Sequence, residues 1–235
     1  GLSFCRQQKP SGQAAWNHAG LPESVLTGDG RFDSVKERLR TWQPIEGIED
    51  FIQGRKVLIL GSSWPEDEAL ILPLIHRFPQ IAFILAPHDV SRASSINQAL
   101  PTTALMWSSW STSSLEEKQD SKLLLVDTMG ELFTFYGHAN MAMIGGGFKQ
   151  GLHNVLEAMV HGLPTCFGPE TDGHWEADKA IQSGHANTVS NSDELKQWID
   201  DCLQKTSPAK QIKGFIDQQA GANTKVKHLV EDQLF

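Results

Sequence analysis

Short apolar runs without polar alternation set the tightest limit on how this chain can fold. KVLILGS (56–62), IAFILAP (81–87), LLLVD (123–127), MAMIGGG (141–147) and PTCFG (164–168) are rich in Val, Ile, Leu, Phe or Met. A strand with one wet face alternates apolar with polar residues, so runs like these belong to strands covered on both faces. The covering helices read between them. EDEALILPLIHRF (66–78) is one, kinked at Pro73, whose nitrogen has no proton to donate. MGELFTFYGHA (129–139) and HNVLEAMVHG (153–162) are others. Strands alternating with helices predict an α/β fold built on a doubly wound parallel sheet. Such sheets bind ligands beyond the carboxyl ends of their strands, where the connections change direction.

Two stretches break this rhythm. SSWSTSSLEEKQDS (108–121) is Ser-rich and charged and reads as a surface loop or short helix without chemistry. From about 193 onward the pattern is helical, with SDELKQWIDDCL offering a Ser or Asp N-cap and apolar residues at helical spacing. The first 25 residues show no clear sheet pattern. At 235 residues, 40% of them hydrophobic, the chain suits one large soluble domain or two small ones. A net charge of −8 argues against nucleic acid as the main partner, because phosphate binding needs clustered Lys and Arg. No apolar run reaches the length of about 18 residues needed to cross a bilayer, and no basic-then-apolar signal segment opens the chain. Cys5, Cys166 and Cys202 are widely spaced and lack metal-ligand spacing, which suits a reducing cytosol.

The chemistry concentrates where strand 141–144 stops at Gly145-Gly146-Gly147 and a helix is expected to start near Leu152 or His153. Glycines at a strand end permit positive φ and let a ligand approach the backbone. The N–H groups and dipole of a following helix attract phosphate. His153, Asn154 and Glu157 would share one face of that helix, with Gly162 ending it and Pro164 opening the next strand. Glu157 would repel a phosphate but accept hydrogen bonds from a ribose diol, so the pattern predicts a nucleotide rather than bare phosphate. A tight structural turn is the competing reading of the glycines. The dinucleotide fingerprint does not fit, since no acidic residue follows the next strand at the required place. Three more polar clusters fall at strand ends. In GSSWPEDE (61–68), Ser62 and Ser63 either cap a helix or contact ligand. In APHDV (86–90), His88 stands just past a strand end; in VDTMGEL (126–132), Asp127 or Thr128 caps a helix near Gly130 and Glu131. Their convergence on one sheet edge points to a single pocket.

EAMVHGLP (157–164) has the form E-A-x-x-x-G-x-P of the donor half of many GT-B glycosyltransferases. Taken with TGDGRFDSV (27–35), GSSWPEDE, DTMGEL (127–132) and the run from Gly145 to Glu170, it resembles bacterial 3-deoxy-D-manno-octulosonate (Kdo) transferases. These enzymes transfer Kdo from CMP-Kdo to a lipid A precursor in lipopolysaccharide synthesis, and the resemblance covers residues 25 to 185. It implies a Rossmann-like fold, the carboxyl-terminal domain of a GT-B enzyme. Residues 1–24 would be a connector or a remnant of the amino-terminal acceptor domain, and 25–235 the CMP-Kdo domain with its carboxyl-terminal helices. That other half would carry the acceptor site, the membrane-associating segment and the general base. The present chain would then bind donor without turnover, on the cytoplasmic side of the inner membrane. A first residue of Gly rather than Met fits a processed product or a piece of a longer chain.

By the same resemblance, Gly146 and Gly147, with the amides at 152–154, would hold the donor phosphate. His153, Asn154 and Glu157 would face phosphate and ribose, Ser62 and Ser63 would line the pocket, and Met129, Gly130 and Glu131 would approach the cytosine and sugar. His88 stands where the family has Pro-Arg-His, and Lys149 or Arg92 are candidates to replace the missing arginine. The implied chemistry is an inverting single displacement, with CMP-Kdo as substrate and no cofactor. Lacking a D-x-D motif at a strand end, the chain is expected to use amides and a helix dipole rather than a metal. Another GT-B nucleotide-sugar transferase or epimerase, or a non-catalytic nucleotide-binding module, are the alternatives.

Overall fold

The computed structural model of the chain describes residues 5–7, 14, 18, 24–100 and 104–234. Most of the expected connector, 1–24, lies outside them. Within it, β1 (Cys5–Gln7) pairs in parallel with β2 (Ser24–Leu26), a pairing too short to leave a pattern in the sequence. Helices α1 (Gly30–Arg40) and α2 (Glu49–Ile52) lead into a 7-stranded parallel sheet. Its strands are β3 (Lys56–Ser63), β4 (Ile81–Pro87), β5 (Leu105–Met106), β6 (Leu123–Leu125), β7 (Met141–Ile144), β8 (Thr165–Phe167) and β9 (Ala186–Thr188). They lie in the order β5-β6-β4-β3-β7-β8-β9. From β3 the chain winds outward through β4, then returns and crosses to β7 on the other side. The carboxyl ends of β3 and β7 therefore flank the switch point, and the doubly wound α/β expectation holds.

The missing polar alternation has its explanation in the packing. Leu58, Leu60, Phe83, Leu85, Met141 and Met143 feed one buried cluster; Ile59, Ala82, Ile84, Ala142 and Ile144 feed the other. Successive side chains of a strand point to opposite faces, so each strand must be apolar throughout. The helices between and after the strands are α3 (Pro65–Ile71), α4 (Ala93–Ala99), α5 (Leu115–Asp120), α6 (Leu132–Tyr136), α7 (Leu156–Met159), α8 (Trp175–Gln182), α9 (Ser192–Gln204), α10 (Ala209–Gln219) and α11 (Ala222–Leu234); all but α5, which buries no residue, contribute buried residues.

Several helices differ from the sequence expectation. The helix expected over 66–78 becomes α3 followed by a 3-10 stretch, Leu72–Arg77, because Pro73 cannot continue the α-helical ladder. The N-cap of α9 is Asn191, whose side chain accepts from the Glu194 amide, rather than Ser or Asp. The most consequential change is α7, which spans only four residues where 153–162 was expected. Gly151 at φ 89 and Asn154, which accepts from the Leu156 amide at 3.1 Å, keep the preceding residues in a loop.

Candidate functional site

β3 ends in a distorted turn. The pairing with β4 shifts register between Gly61 and Ser63, and Ser62 takes a left-handed φ of 54, uncommon outside glycine. That turn sends Trp64 across the end of the sheet. The His88 ring, at the end of β4, stacks on Trp64 at 4.8 Å between centroids and on His153 at 4.5 Å. Trp64 Nε1 donates to His153 Nε2 at 3.1 Å, so His153 carries its own proton on Nδ1. Burial, with His88 and His174 adding to it, holds the His153 imidazole below its ordinary pKa and keeps it neutral at pH 7.

The glycine turn sits directly beside this stack. Gly145 donates to Gly61 O at 2.9 Å, and the His153 amide donates to Gly145 O at 3.1 Å, closing residues 146–152 into a loop. A Cβ at Gly146 would lie 2.1 Å from Gly151 O, so no side chain fits there. Gly146 was expected to offer its amide to a donor phosphate, but it donates to Asp67 Oδ2 at 3.0 Å. With α7 so short, the helix dipole invoked for the leaving group has little length to build on.

The other expected residues divide into those that meet and those that do not. Ser62, His88, Gly146, Gly147 and His153 converge at the switch point. Ser63 turns inward, fully buried, and donates to Glu68 Oε1 at 2.8 Å instead of lining an open pocket. Asn154 is exposed and serves the start of α7. Glu157 pairs with Arg38 at 3.0 Å, and burial raises its carboxyl above the ordinary value. Met129 is 74% exposed beside Gly130. Glu131 accepts from Trp107 Nε1 at 2.7 Å and from the Thr128 hydroxyl. Asp127, expected as a cap, instead accepts from the Ser108 amide at 2.8 Å. The Ser-rich stretch assigned no chemistry thus anchors one of these carboxylates, Asp127, through Ser108.

Neither cation suggested as a replacement arginine is free. Arg92 makes a two-pronged contact with Glu68 at 3.0 and 2.6 Å, and Lys149 bridges Glu66 at 3.3 Å. Trp64, Asp67, Arg38 and Trp107 were not singled out from the sequence. Trp64 had the one usable signal, an aromatic ring at a strand end. Among the described residues, no group of three or more His, Cys, Asp or Glu is placed to hold a metal ion. A cavity of about 620 Å³ lies at the opposite edge of the sheet, lined by Lys56, Met141, Pro164, Trp198 and Lys205. It sits at the strands' amino ends, away from the switch point.

No protein-family model matches the chain. It is 28% identical over 200 residues to the 3-deoxy-D-manno-octulosonic acid transferase of Rickettsia typhi, a match covering 83% of this chain and 43% of that protein. The chain thus spans less than half the length of this curated relative. Among solved structures it resembles the C-terminal CMP-Kdo binding domain of WaaA from Acinetobacter baumannii, with TM-score 0.61, 21% identity, and coverage of 80% of this chain and 96% of that domain. It also resembles Anabaena HepE in complex with UDP-glucose, with TM-score 0.56, 15% identity, and coverage of 98% and 63%. The resemblance to Kdo transferases is borne out, and the fold is the Rossmann-like α/β fold of GT-B carboxyl-terminal domains.

Proposed function

We propose that this chain is the donor-binding half of a transferase that moves Kdo from CMP-Kdo to a lipid A precursor. The carrying observation is the convergence of the Trp64–His88–His153 stack and the glycine loop on the switch point between β3 and β7. The likeness to a CMP-Kdo binding domain along almost its whole length supports the same reading. In the transfer, the acceptor hydroxyl oxygen attacks the anomeric carbon from the face opposite CMP. The carbon–oxygen bond to the phosphate breaks, CMP leaves with the electron pair, and the hydroxyl proton passes to a general base of the acceptor half. This chain contributes the grip on the leaving group: loop amides and the Nδ1–H of neutral His153 donate to the phosphate as its charge develops. Glu157 accepts from the ribose diol, and the loop carrying Met129 and Gly130 covers the base. The other half brings the membrane contact, and the assembled enzyme works at the cytoplasmic face of the inner membrane.

The likeness to a UDP-glucose-bound protein favours one rival, a UDP-sugar enzyme on the same fold. Calorimetric titration with CMP, UDP and GDP decides between them. CMP is expected to bind at least about tenfold more tightly than either, and a preference for UDP overturns the Kdo assignment. Glu157→Ala is expected to weaken CMP binding by a similar factor. Its melting temperature should move little, because the half-exposed pair with Arg38 is worth within about 1 kcal/mol. Unchanged CMP affinity in that variant would make Glu157 a structural residue.

A further inference from the structure

The proposed transfer leaves Asp67 without a part, although this carboxylate is 0% exposed and lies beneath both loops that frame the site. Its Oδ2 accepts from the Trp64 amide at 2.8 Å and from the Gly146 amide at 3.0 Å. Its Oδ1, equally buried, has no hydrogen-bond partner among the described residues. A neutral side chain could serve the same two amides without the cost of a buried charge. Burial pushes the Asp67 carboxyl up to about 6 against the pull of the two amides, with Glu68 and Glu66 adding to the rise.

We infer that Asp67 is a positioning residue whose carboxylate locks the Gly145–Gly146 peptide and, through it, the backbone of His153, in the geometry that receives the donor nucleotide. The inference rests on the nucleotide site proposed above. That peptide is held at both ends: its N–H on Asp67, its carbonyl by the His153 amide. Gly146 has φ 93, a conformation only glycine adopts easily and one with little intrinsic resistance to rotation. Released from Asp67, the peptide is free to turn its carbonyl toward the incoming phosphate and to drop His153 from its place against Trp64.

The groups around Asp67 leave its own charge as the variable. On its helix, Glu66 meets Lys149 and Glu68 meets Arg92. From β8, the Cys166 thiol is held far above its ordinary pKa by burial, with Cys202 and Asp67 adding to the effect, and stays neutral. Above the peptide lie the imidazoles of His153 and His88.

Asp67→Ala and Asp67→Asn are titrated with CMP at pH 5 and pH 8, alongside histidine-selective NMR of the unliganded proteins. Asp67→Ala is expected to bind CMP at least about tenfold more weakly at both pH values. Asp67→Asn keeps an acceptor but not the charge. It should match wild type within about twofold at pH 5, where Asp67 is itself protonated, and fall about fivefold or more behind at pH 8. In the spectra, the single Nδ1–H tautomer of His153 in wild type gives way to a mixture in Asp67→Ala. If Asp67→Ala fails to fold, Asp67→Asn and its spectrum carry the test. Wild-type CMP affinity at pH 8 in either folded variant, with the His153 tautomer unchanged, overturns the inference. If wild type itself binds no CMP, the nucleotide site is what fails, and the tautomer comparison still tests the positioning role.

Discussion

Gly147→Ala is expected to abolish CMP binding and to cost about 3 kcal/mol of stability. An added Cβ would stand 2.7 Å from the Gly168 amide nitrogen, 2.8 Å from its carbonyl oxygen and 2.9 Å from its Cα. All three are backbone atoms, so no flexible side chain can swing aside. The reverse contact is as tight: a Cβ at Gly168 would lie 2.1 Å from Gly147 O. The chain leaving β7 and the chain leaving β8 thus touch backbone to backbone, and the Glu170 amide donates to Gly147 O at 2.9 Å across the same contact. Relieving the clash must part these two segments and displace the loop that carries His153. Thermal melting and calorimetry with CMP check both effects. Gly151→Ala is the control: Gly151 has a positive φ, at 89, so its variant reports backbone strain alone, with nothing within 4 Å of the added Cβ. It should cost only about 1 kcal/mol. A Gly147→Ala protein with wild-type melting and wild-type CMP affinity would refute the packing argument.

Arg31→Ala is expected to cost about 3–5 kcal/mol near neutral pH. Arg31 contacts Asp29 and Glu176 at 2.7 Å each, and these carboxylates are 1% and 0% exposed. Removing the guanidinium leaves two acids buried side by side, and the surviving bonds to Asp29 from the residue-31 amide and from Trp175 Nε1, at 2.9 and 3.1 Å, cannot neutralise them. The pH dependence follows from the sign of the shift. Burial alone would raise the Asp29 carboxyl, but the hydrogen bonds and charge of Arg31 bring it below its ordinary value. A carboxyl with a lowered folded pKa stabilises the fold above its unfolded value, about 4, and loses that contribution as pH falls through the folded value. In Arg31→Ala the burial of Asp29 is no longer opposed by Arg31, so its carboxyl binds a proton more readily than in wild type and the variant gains on acidification relative to wild type. The gap to wild type should therefore be widest above about pH 6 and shrink toward pH 4. Chemical denaturation at both pH values measures it, and a loss under about 1 kcal/mol at pH 7.5 would show that the network is not a structural tie. The tie matters to the site because His174, 3.5 Å from Glu176, is electrostatically coupled to His153.

What the sequence alone determined is the sheet and which of its edges carries the glycines and polar clusters. Apolar runs such as 56–60 and 81–86 must be covered on both faces, and with helices between them this leaves little besides a doubly wound α/β sheet. Glycines and polar residues placed just after those runs then mark the carboxyl edge, and the order of the motifs carries the resemblance to Kdo transferases. Local chemistry was legible in part: the proline that converts the end of α3 to a 3-10 turn could be read, whereas the Asn154–Leu156 bond that shortens α7 was not.

The tertiary structure alone decided which polar groups are free. Arg92 has Glu68, Glu157 has Arg38, and the Gly146 amide has Asp67, pairs separated by 24, 119 and 79 residues. Hydrogen bonds and ion pairs depend on distance in space, which sequence spacing reports only within a turn or a helix. The same reason hid the Trp64–His88–His153 stack, whose three rings lie beyond the ends of β3, β4 and β7 and meet only once the sheet has formed.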